Sequence, residues 1–129
     1  MIAALPWMRV DSYLVEVKAT TQGEVRLTAK QAETATAEAN RYVLCVLDLR
    51  SVQPARLAMA WTAGDIEPLT HLVTDIGVHV QSTWGLVEKA RTSEVGISNE
   101  KYLRYGVPTS LWGKGCSIEK WIDSIKAPH

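Results

Sequence analysis

Glu16 and Lys18 are the residues whose types and spacing most directly indicate chemistry in this chain. Residues 12–20 alternate between two sets of side chains and are rich in β-branched and aromatic types, which predicts a β-strand. Successive side chains on a strand point to opposite faces, so Glu16 and Lys18 project from the same face. A carboxylate and the backbone carbonyl of Val17 can help to hold Mg²⁺, and an ammonium group can orient water or offset charge in phosphodiester hydrolysis.

A Glu-x-Lys tripeptide by itself is weak evidence for a functional site, because such tripeptides arise by chance in most proteins of this size. Its simplest interpretation is a solvated pair of charges on an edge strand. The elements that follow it in the sequence therefore decide how much meaning the pair has.

The first fifty residues predict a mixed α/β arrangement. Gly23 lies in a turn and is free to take a positive φ, and residues 25–27 then return as a second strand, so the two strands are predicted to form a hairpin. Thr28 and Gln31 have the spacing of a capping box and predict a helix that runs to about residue 39. Residues 42–49 form an apolar run typical of a strand covered on both faces.

The second half of the chain has weaker patterns. Alternation and composition predict strands over 56–61, 78–87 and 102–107, and helices over 64–73 and 118–125. Together with the first half, this order predicts a mixed sheet flanked by helices.

The region from residue 12 to residue 49 resembles a known family in the order and spacing of its elements. The residues that carry the resemblance are Tyr13-Leu14-Val15-Glu16-Val17-Lys18-Ala19-Thr20-Thr21, then Val25-Arg26-Leu27-Thr28 and Gln31, then Arg41-Tyr42-Val43-Leu44-Cys45-Val46. This pattern is similar to that of the C-terminal domain family named after the plant protein NO VEIN. The resemblance is much weaker over residues 50–129.

The family looks like a branch of the PD-(D/E)XK nuclease superfamily. The resemblance implies a restriction-endonuclease-like core with the order hairpin, helix, strand, and Mg²⁺-dependent (or Mn²⁺-dependent) DNA cleavage or recognition. It also implies a module of a larger DNA-processing or defence protein, with an ATPase or helicase module in the same or a partner protein. We expect residues 1–129 to form one such domain, or a C-terminal fragment that lacks the first helix and strand.

The resemblance also assigns roles to individual residues. Glu16 and Lys18 match the Glu-x-Lys motif, and Gln31 matches a polar position near the metal in the helix that follows. The motif's first acid normally opens the preceding strand, and Asp11 is the sole acidic residue before Glu16. Five residues of strand span roughly 16–17 Å, which is too far for Asp11 to share one ion with Glu16 unless the strand bends sharply. A catalytically inactive DNA-binding or protein-interaction domain of the same fold is therefore the alternative.

Charge and composition limit the partners that we expect. The chain carries 14 basic and 14 acidic residues, so its formal net charge is zero and any DNA contact must use a local patch. The candidates for that patch are Lys30, Arg41, Trp84, Lys89 and Arg91, where Trp84 would stack on a base.

Cys45 and Cys116 fit no zinc pattern and predict free thiols in a reducing cytoplasm. The sequence has no apolar run of membrane length, so no membrane contact is expected. A homodimer is left open.

Overall fold

The computed structural model describes residues 13–93 and 103–126. They form a mixed α/β structure with a mixed three-stranded sheet flanked by helices, and a separate two-stranded sheet. The strands are β1 (Leu14–Thr20), β2 (Val25–Thr28), β3 (Tyr42–Asp48), β4 (Thr70–Val73) and β5 (Arg104–Val107). The helices are α1 (Ala29–Ala37), α2 (Pro54–Leu57), α3 (Ala63–Ile66), α4 (Ile76–Arg91), α5 (Thr109–Trp112) and α6 (Ile118–Lys126), with a 3-10 turn at Glu67–Leu69.

The three-stranded sheet has the order β1-β3-β4. β1 pairs in parallel with β3, so that Glu16 lies opposite Leu44 and Lys18 lies opposite Val46. Parallel strands cannot be joined by a tight turn, and α1 lies in the crossover between them. β4 lies on the other side of β3 and runs antiparallel to it, which makes β3 the central strand.

The predicted hairpin between the first two strands is wrong. β2 pairs antiparallel with β5, not with β1. Gly23 adopts a φ of 92° in the turn after β1, and its carbonyl oxygen accepts hydrogen bonds from Trp112 Nε1 (3.3 Å) and Thr109 Oγ1 (3.4 Å). These contacts with α5 direct the chain out of the first sheet, so β2 cannot return along β1.

α1 confirms the prediction made from Thr28 and Gln31. The Thr28 hydroxyl accepts from the Gln31 N–H (3.1 Å), and the Gln31 side-chain oxygen accepts from the Thr28 N–H (2.9 Å). The helix ends at Ala37, two residues before the predicted end. Its fully buried Ala32 and Ala35 let α1 pack closely in the core.

The strand predicted over 78–87 is wrong, because this segment lies inside the 16-residue helix α4. Ile76 and Val80 are buried, and Trp84 and Val87 pack partly buried against the same core. These four positions lie on one side of a helix, so the apolar residues follow helical spacing although the local sequence also alternates.

The remaining predictions for the second half have mixed outcomes. The strand predicted over 56–61 is wrong, because Pro54 starts the short helix α2 and no described strand follows before β4. The helix predicted over 64–73 ends early, since Pro68 lies in the 3-10 turn and β4 follows. β5 confirms the extended segment before Pro108, and α6 confirms the final helix.

The two faces of β3 contact two separate apolar clusters, as expected for a strand covered on both sides. Tyr42, Leu44 and Val46 belong to the larger cluster, which includes buried residues of α1 and α4. Val43 and Cys45 belong to the smaller cluster, against which Ile118 and Trp121 of α6 pack. No helix in the described ranges is long and apolar enough to cross a bilayer.

Candidate functional site

Glu16 and Lys18 lie on the same face of β1, as the alternation predicts. Both side chains are half-buried, whereas the intervening Val17 is 60% exposed on the opposite face. Through Leu44 and Val46 of β3, this face continues into the larger core cluster. Glu16 and Lys18 therefore lie at the margin of the core, and Glu16 lies beside α1.

The carbonyl oxygen of Val17 points away from β3, the described strand with which β1 pairs. The Leu14 N–H donates to the Arg41 oxygen (2.8 Å), and the Thr20 oxygen accepts from the Leu49 N–H (2.8 Å). Even-numbered residues of β1 therefore direct their backbone groups toward β3. Because backbone groups alternate along a strand, the Val17 carbonyl points away from β3, where no described strand pairs with β1.

Glu16 contributes to a surface depression of about 250 Å³ between β1 and α1. Its lining residues are Leu14, Val15, Glu16, Lys30, Gln31, Thr34 and Tyr42. The structure thus brings together two of the predicted catalytic residues, Glu16 and Gln31, and one predicted phosphate contact, Lys30. Lys18 lies two residues farther along the same face and does not line the depression.

Gln31 has a structural role that uses one of the two polar groups of its side-chain amide. Its oxygen is used by the capping box with Thr28, as described above. The amide NH₂ of Gln31 is the part of the side chain that the cap does not use. Gln31 can therefore stabilise the start of α1 and still offer a hydrogen-bond donor.

Tyr42 is a member of this site that the sequence analysis counted only as part of a family-like strand. Its side chain is buried, with 4% of its surface exposed, and its hydroxyl has no hydrogen-bond partner among residues 13–93 and 103–126. Burial and, secondarily, the negative charge of Glu16 raise the pKa of Tyr42 to about 12. The hydroxyl therefore stays protonated and can donate at any physiological pH.

The donor set fits Mg²⁺ in part. Glu16 supplies a carboxylate and Val17 a carbonyl, which are the hard oxygen ligands that Mg²⁺ prefers. Within the described ranges, no group of three or more His, Cys, Asp or Glu residues could hold a metal ion. Asp11, the third predicted ligand, lies outside the described residues. Mg²⁺ often binds through one or two carboxylates and takes its other ligands from water and substrate phosphates, so two protein oxygens are a usable set.

The other predicted nucleic-acid contacts lie elsewhere. Arg41 Nε donates to Glu38 Oε2 (2.8 Å) at the start of β3. The half-buried Trp84 packs near Tyr105, with ring centroids 6.3 Å apart. Lys89 is exposed on α4, and Arg91 is the last residue of that helix. Arg41, Trp84 and Lys89 do not line the Glu16 depression.

A second polar cluster, which the sequence analysis missed, lies where β1 and β3 end. Arg50 donates two hydrogen bonds of 2.9 Å to the Asp48 carboxylate, and its guanidinium lies 5.1 Å from the centre of the Trp112 ring. His71 Nε2 is 4.0 Å from Asp48 Oδ2. His71 lies opposite Val46, which itself lies opposite Lys18, so Lys18 and His71 share one row of the sheet.

The Asp48–Arg50 pair predicts an acid-dependent stability. The Arg50 hydrogen bonds hold the pKa of Asp48 below its ordinary value. A lowered pKa means that this stabilisation is complete above the unfolded-state pKa of about 3.9 and is lost as the pH falls through the lower, folded-state pKa. Because Arg50 is partly exposed, we expect Asp48→Asn to reduce the free energy of unfolding by about 1 kcal/mol at pH 7.

Urea unfolding measured between pH 2 and pH 8 checks this expectation. The difference between wild type and Asp48→Asn should be constant near neutrality and should shrink below about pH 4. The exposed Asp123 of α6 offers a control, and Asp123→Asn should change the free energy of unfolding little. A difference that persists undiminished at pH 2 would contradict the assignment to the ionised Asp48 carboxylate.

Comparison of the chain with protein-family models, with curated proteins and with solved structures found no match. The resemblance to the NO VEIN family therefore stays a prediction.

Proposed function

We propose that this chain is a nuclease-like domain that binds DNA and hydrolyses its phosphodiester bonds with the help of a divalent cation. The observation that carries the proposal is the arrangement of Glu16, Val17 and Lys18 on β1. Two side chains of opposite charge share one face, while the carbonyl between them points to the side of β1 on which no described strand pairs with it. A carboxylate, a carbonyl oxygen and an ammonium group placed in this way are groups that metal-assisted phosphodiester hydrolysis can use.

Each residue has a distinct role in the proposal. Glu16 and the Val17 carbonyl would hold Mg²⁺ or Mn²⁺, which supplies polarisation of the phosphate and a lowered pKa of bound water. Lys18 offsets negative charge on the phosphate as the bond breaks. Lys30, exposed in the first turn of α1, attracts the nucleic-acid backbone to the depression.

The restriction-endonuclease-like interpretation of the sheet is part of the proposal and depends on one unit of the fold, because β1 and β2 do not form the expected hairpin. β1, α1 and β3 form a parallel crossover unit, with the charged pair on the first strand and a buried second strand. We further propose that the domain is a module of a larger DNA-processing or defence protein with an ATPase or helicase partner. A cytoplasmic setting agrees with the free thiols of Cys45 and Cys116.

A second candidate function is a DNA-binding or protein-interaction domain without catalytic activity. The sparse metal-ligand set favours it, because Glu16 has no cluster of further acidic, histidine or cysteine ligands within the described part of the chain. The two candidates differ in whether Glu16 is needed for bond cleavage.

Cleavage of supercoiled and linear plasmid in Mg²⁺ or Mn²⁺ tests the proposal. We expect Glu16→Gln and Lys18→Met each to lower the cleavage rate by about 10²-fold or more, because each removes charge at the reacting phosphate. Glu33→Gln on the exposed side of α1 is the matched control and should cleave like wild type. Equal cleavage by wild type and Glu16→Gln would overturn the proposal. Wild-type protein that binds DNA without cutting it would favour the second candidate.

A further inference from the structure

The hydroxyl of Tyr42 is a buried polar group that the fold itself leaves without a partner. Tyr42 is the first residue of β3 and lines the same depression as Glu16, yet no described residue hydrogen-bonds its hydroxyl. Most buried side-chain polar atoms have a hydrogen-bond partner, because burial removes the bonds that water would make. An unpaired hydroxyl on a residue that lines a depression therefore points to a ligand.

The polar groups around this hydroxyl indicate which ligand it is. The Gln31 oxygen is used by the capping box, so its NH₂ is the group left for a ligand. Lys30 contributes an ammonium group, which can only donate. Tyr42, Gln31 and Lys30 therefore each offer a donor, and donors select an oxygen-rich anion. The acceptors of the depression are the Glu16 carboxylate and the hydroxyl of Thr34, which donates its own proton to the Lys30 carbonyl oxygen (2.9 Å).

The volume of the depression further limits which ligand can bind there. Sites for drug-sized ligands are clefts of about 300–1,000 Å³. The depression measures about 250 Å³, which suits one phosphate group and its immediate neighbours. The adjacent Glu16 carboxylate would repel an anion unless a cation lies between them, as the proposed function places it.

We propose that Tyr42, Gln31 and Lys30 form a phosphate-binding subsite beside Glu16, in which the Tyr42 hydroxyl donates a hydrogen bond to a phosphate oxygen of the nucleic-acid backbone. The inference rests on the proposed function and assigns it a substrate contact. Tyr42 is a binding residue in this assignment, and it takes no part in proton transfer.

Tyr42→Phe is the decisive variant, since it removes the hydroxyl and keeps the buried ring. Binding of a fluorescein-labelled DNA duplex is measured by anisotropy in EDTA, where no metal is bound and no cleavage occurs. Every protein in this comparison also carries Glu16→Gln, so that no carboxylate charge repels the phosphate while the cation is absent. We expect Tyr42→Phe to raise the Kd about tenfold, while the urea midpoint stays equal to that of wild type or rises. A hydroxyl with only a structural role would instead lower the midpoint when removed.

Tyr105→Phe is the matched control, because Tyr105 is also buried but lines a different cavity. It should bind the duplex like wild type. Equal DNA affinity for wild type and Tyr42→Phe, or an equal loss in both variants, would overturn the subsite. Because this measurement contains no metal, its result is independent of whether the domain cleaves DNA.

Competition with inorganic phosphate distinguishes the two sources of the anion. Millimolar phosphate that displaces the duplex from wild type, and does so less effectively from Tyr42→Phe, would show a subsite that accepts free phosphate as well. A duplex affinity that depends on Tyr42 but is insensitive to phosphate would assign the subsite to the nucleic-acid backbone. Both results support the inference, whereas phosphate competition that is identical in the two proteins, together with equal duplex affinity, contradicts it.

Discussion

Gly77→Ala is expected to lower the free energy of unfolding by about 1–3 kcal/mol or more, because it inserts a methyl group where α4 crosses α1. A Cβ atom at Gly77 would lie 2.2 Å from the Ala35 carbonyl oxygen and 3.0 Å from the Ala39 Cα. Both are backbone atoms, which cannot move aside as the end of a flexible side chain would. The two helices would have to separate, and the buried Ala35 would lose its packing.

Gly85→Ala is the matched control for this prediction. Gly85 lies on the same helix, and a Cβ atom there would meet nothing within 4 Å. Alanine has the higher helix propensity, so this variant is expected to gain up to about 1 kcal/mol. Urea unfolding followed by circular dichroism should therefore show a lower urea midpoint than wild type for Gly77→Ala and a higher one for Gly85→Ala. Shifts in the same direction would contradict the close α1–α4 contact.

Trp112→Ala is expected to reduce the free energy of unfolding by about 3–5 kcal/mol, in the range of large-to-small substitutions at buried aromatic residues. Trp112 is fully buried. Its ring contacts His71, with ring centroids 5.3 Å apart, and its Nε1 donates to the Gly23 carbonyl. The substitution would leave a cavity and would also release the turn that separates β1 from β2.

Trp61→Ala provides the comparison with a tryptophan at the surface. The half-buried Trp61 ring lies 4.0 Å from the Arg56 guanidinium, an exposed contact worth about 0.5–1 kcal/mol. In equilibrium unfolding, the loss of free energy of unfolding should therefore be several-fold larger for Trp112→Ala than for Trp61→Ala. If Trp112→Ala were no more destabilising than Trp61→Ala, the position of α5 against the Gly23 turn would be wrong.

The parts of the fold that the sequence predicted are those set by neighbouring residues. α1 could be predicted because Thr28 and Gln31 form its capping box within four residues of chain. β3 could be predicted because an apolar run of that length fits a strand covered on both faces, which is how the structure has it. Neither prediction needed knowledge of a distant partner.

The predictions of secondary structure and strand pairing that were wrong concern segments whose conformation depends on contacts with distant residues. Val78, Val80 and Val87 favour a strand by local propensity, yet packing of Gly77 against α1 and burial of Ile76 and Val80 select a helix. The partner of β2 could not be predicted either, because β5 lies in the last quarter of the chain. Strand pairing of this kind depends on tertiary structure, which local patterns do not contain.

The candidate site also has one part that the local sequence predicts and another part that depends on distant contacts. The shared face of Glu16 and Lys18 follows from the two-residue period of a strand. Tyr42 could not be assigned to the site from sequence, because its place beside Glu16 depends on the parallel register of β1 and β3. The cluster of Asp48 and His71 likewise depends on the pairing of β3 with β4.

The hydrogen bond from Trp112 to Gly23 has a consequence for the order in which the chain folds. It joins residues 89 positions apart, and closing a loop of that length costs entropy before any contact is gained. β1, α1 and β3, in contrast, are consecutive apart from β2 and can associate early. We therefore expect the layer of β2, β5 and α5 to form last and to open first under native conditions. Amide hydrogens there should exchange faster than the amide hydrogens of β1 that bond to β3.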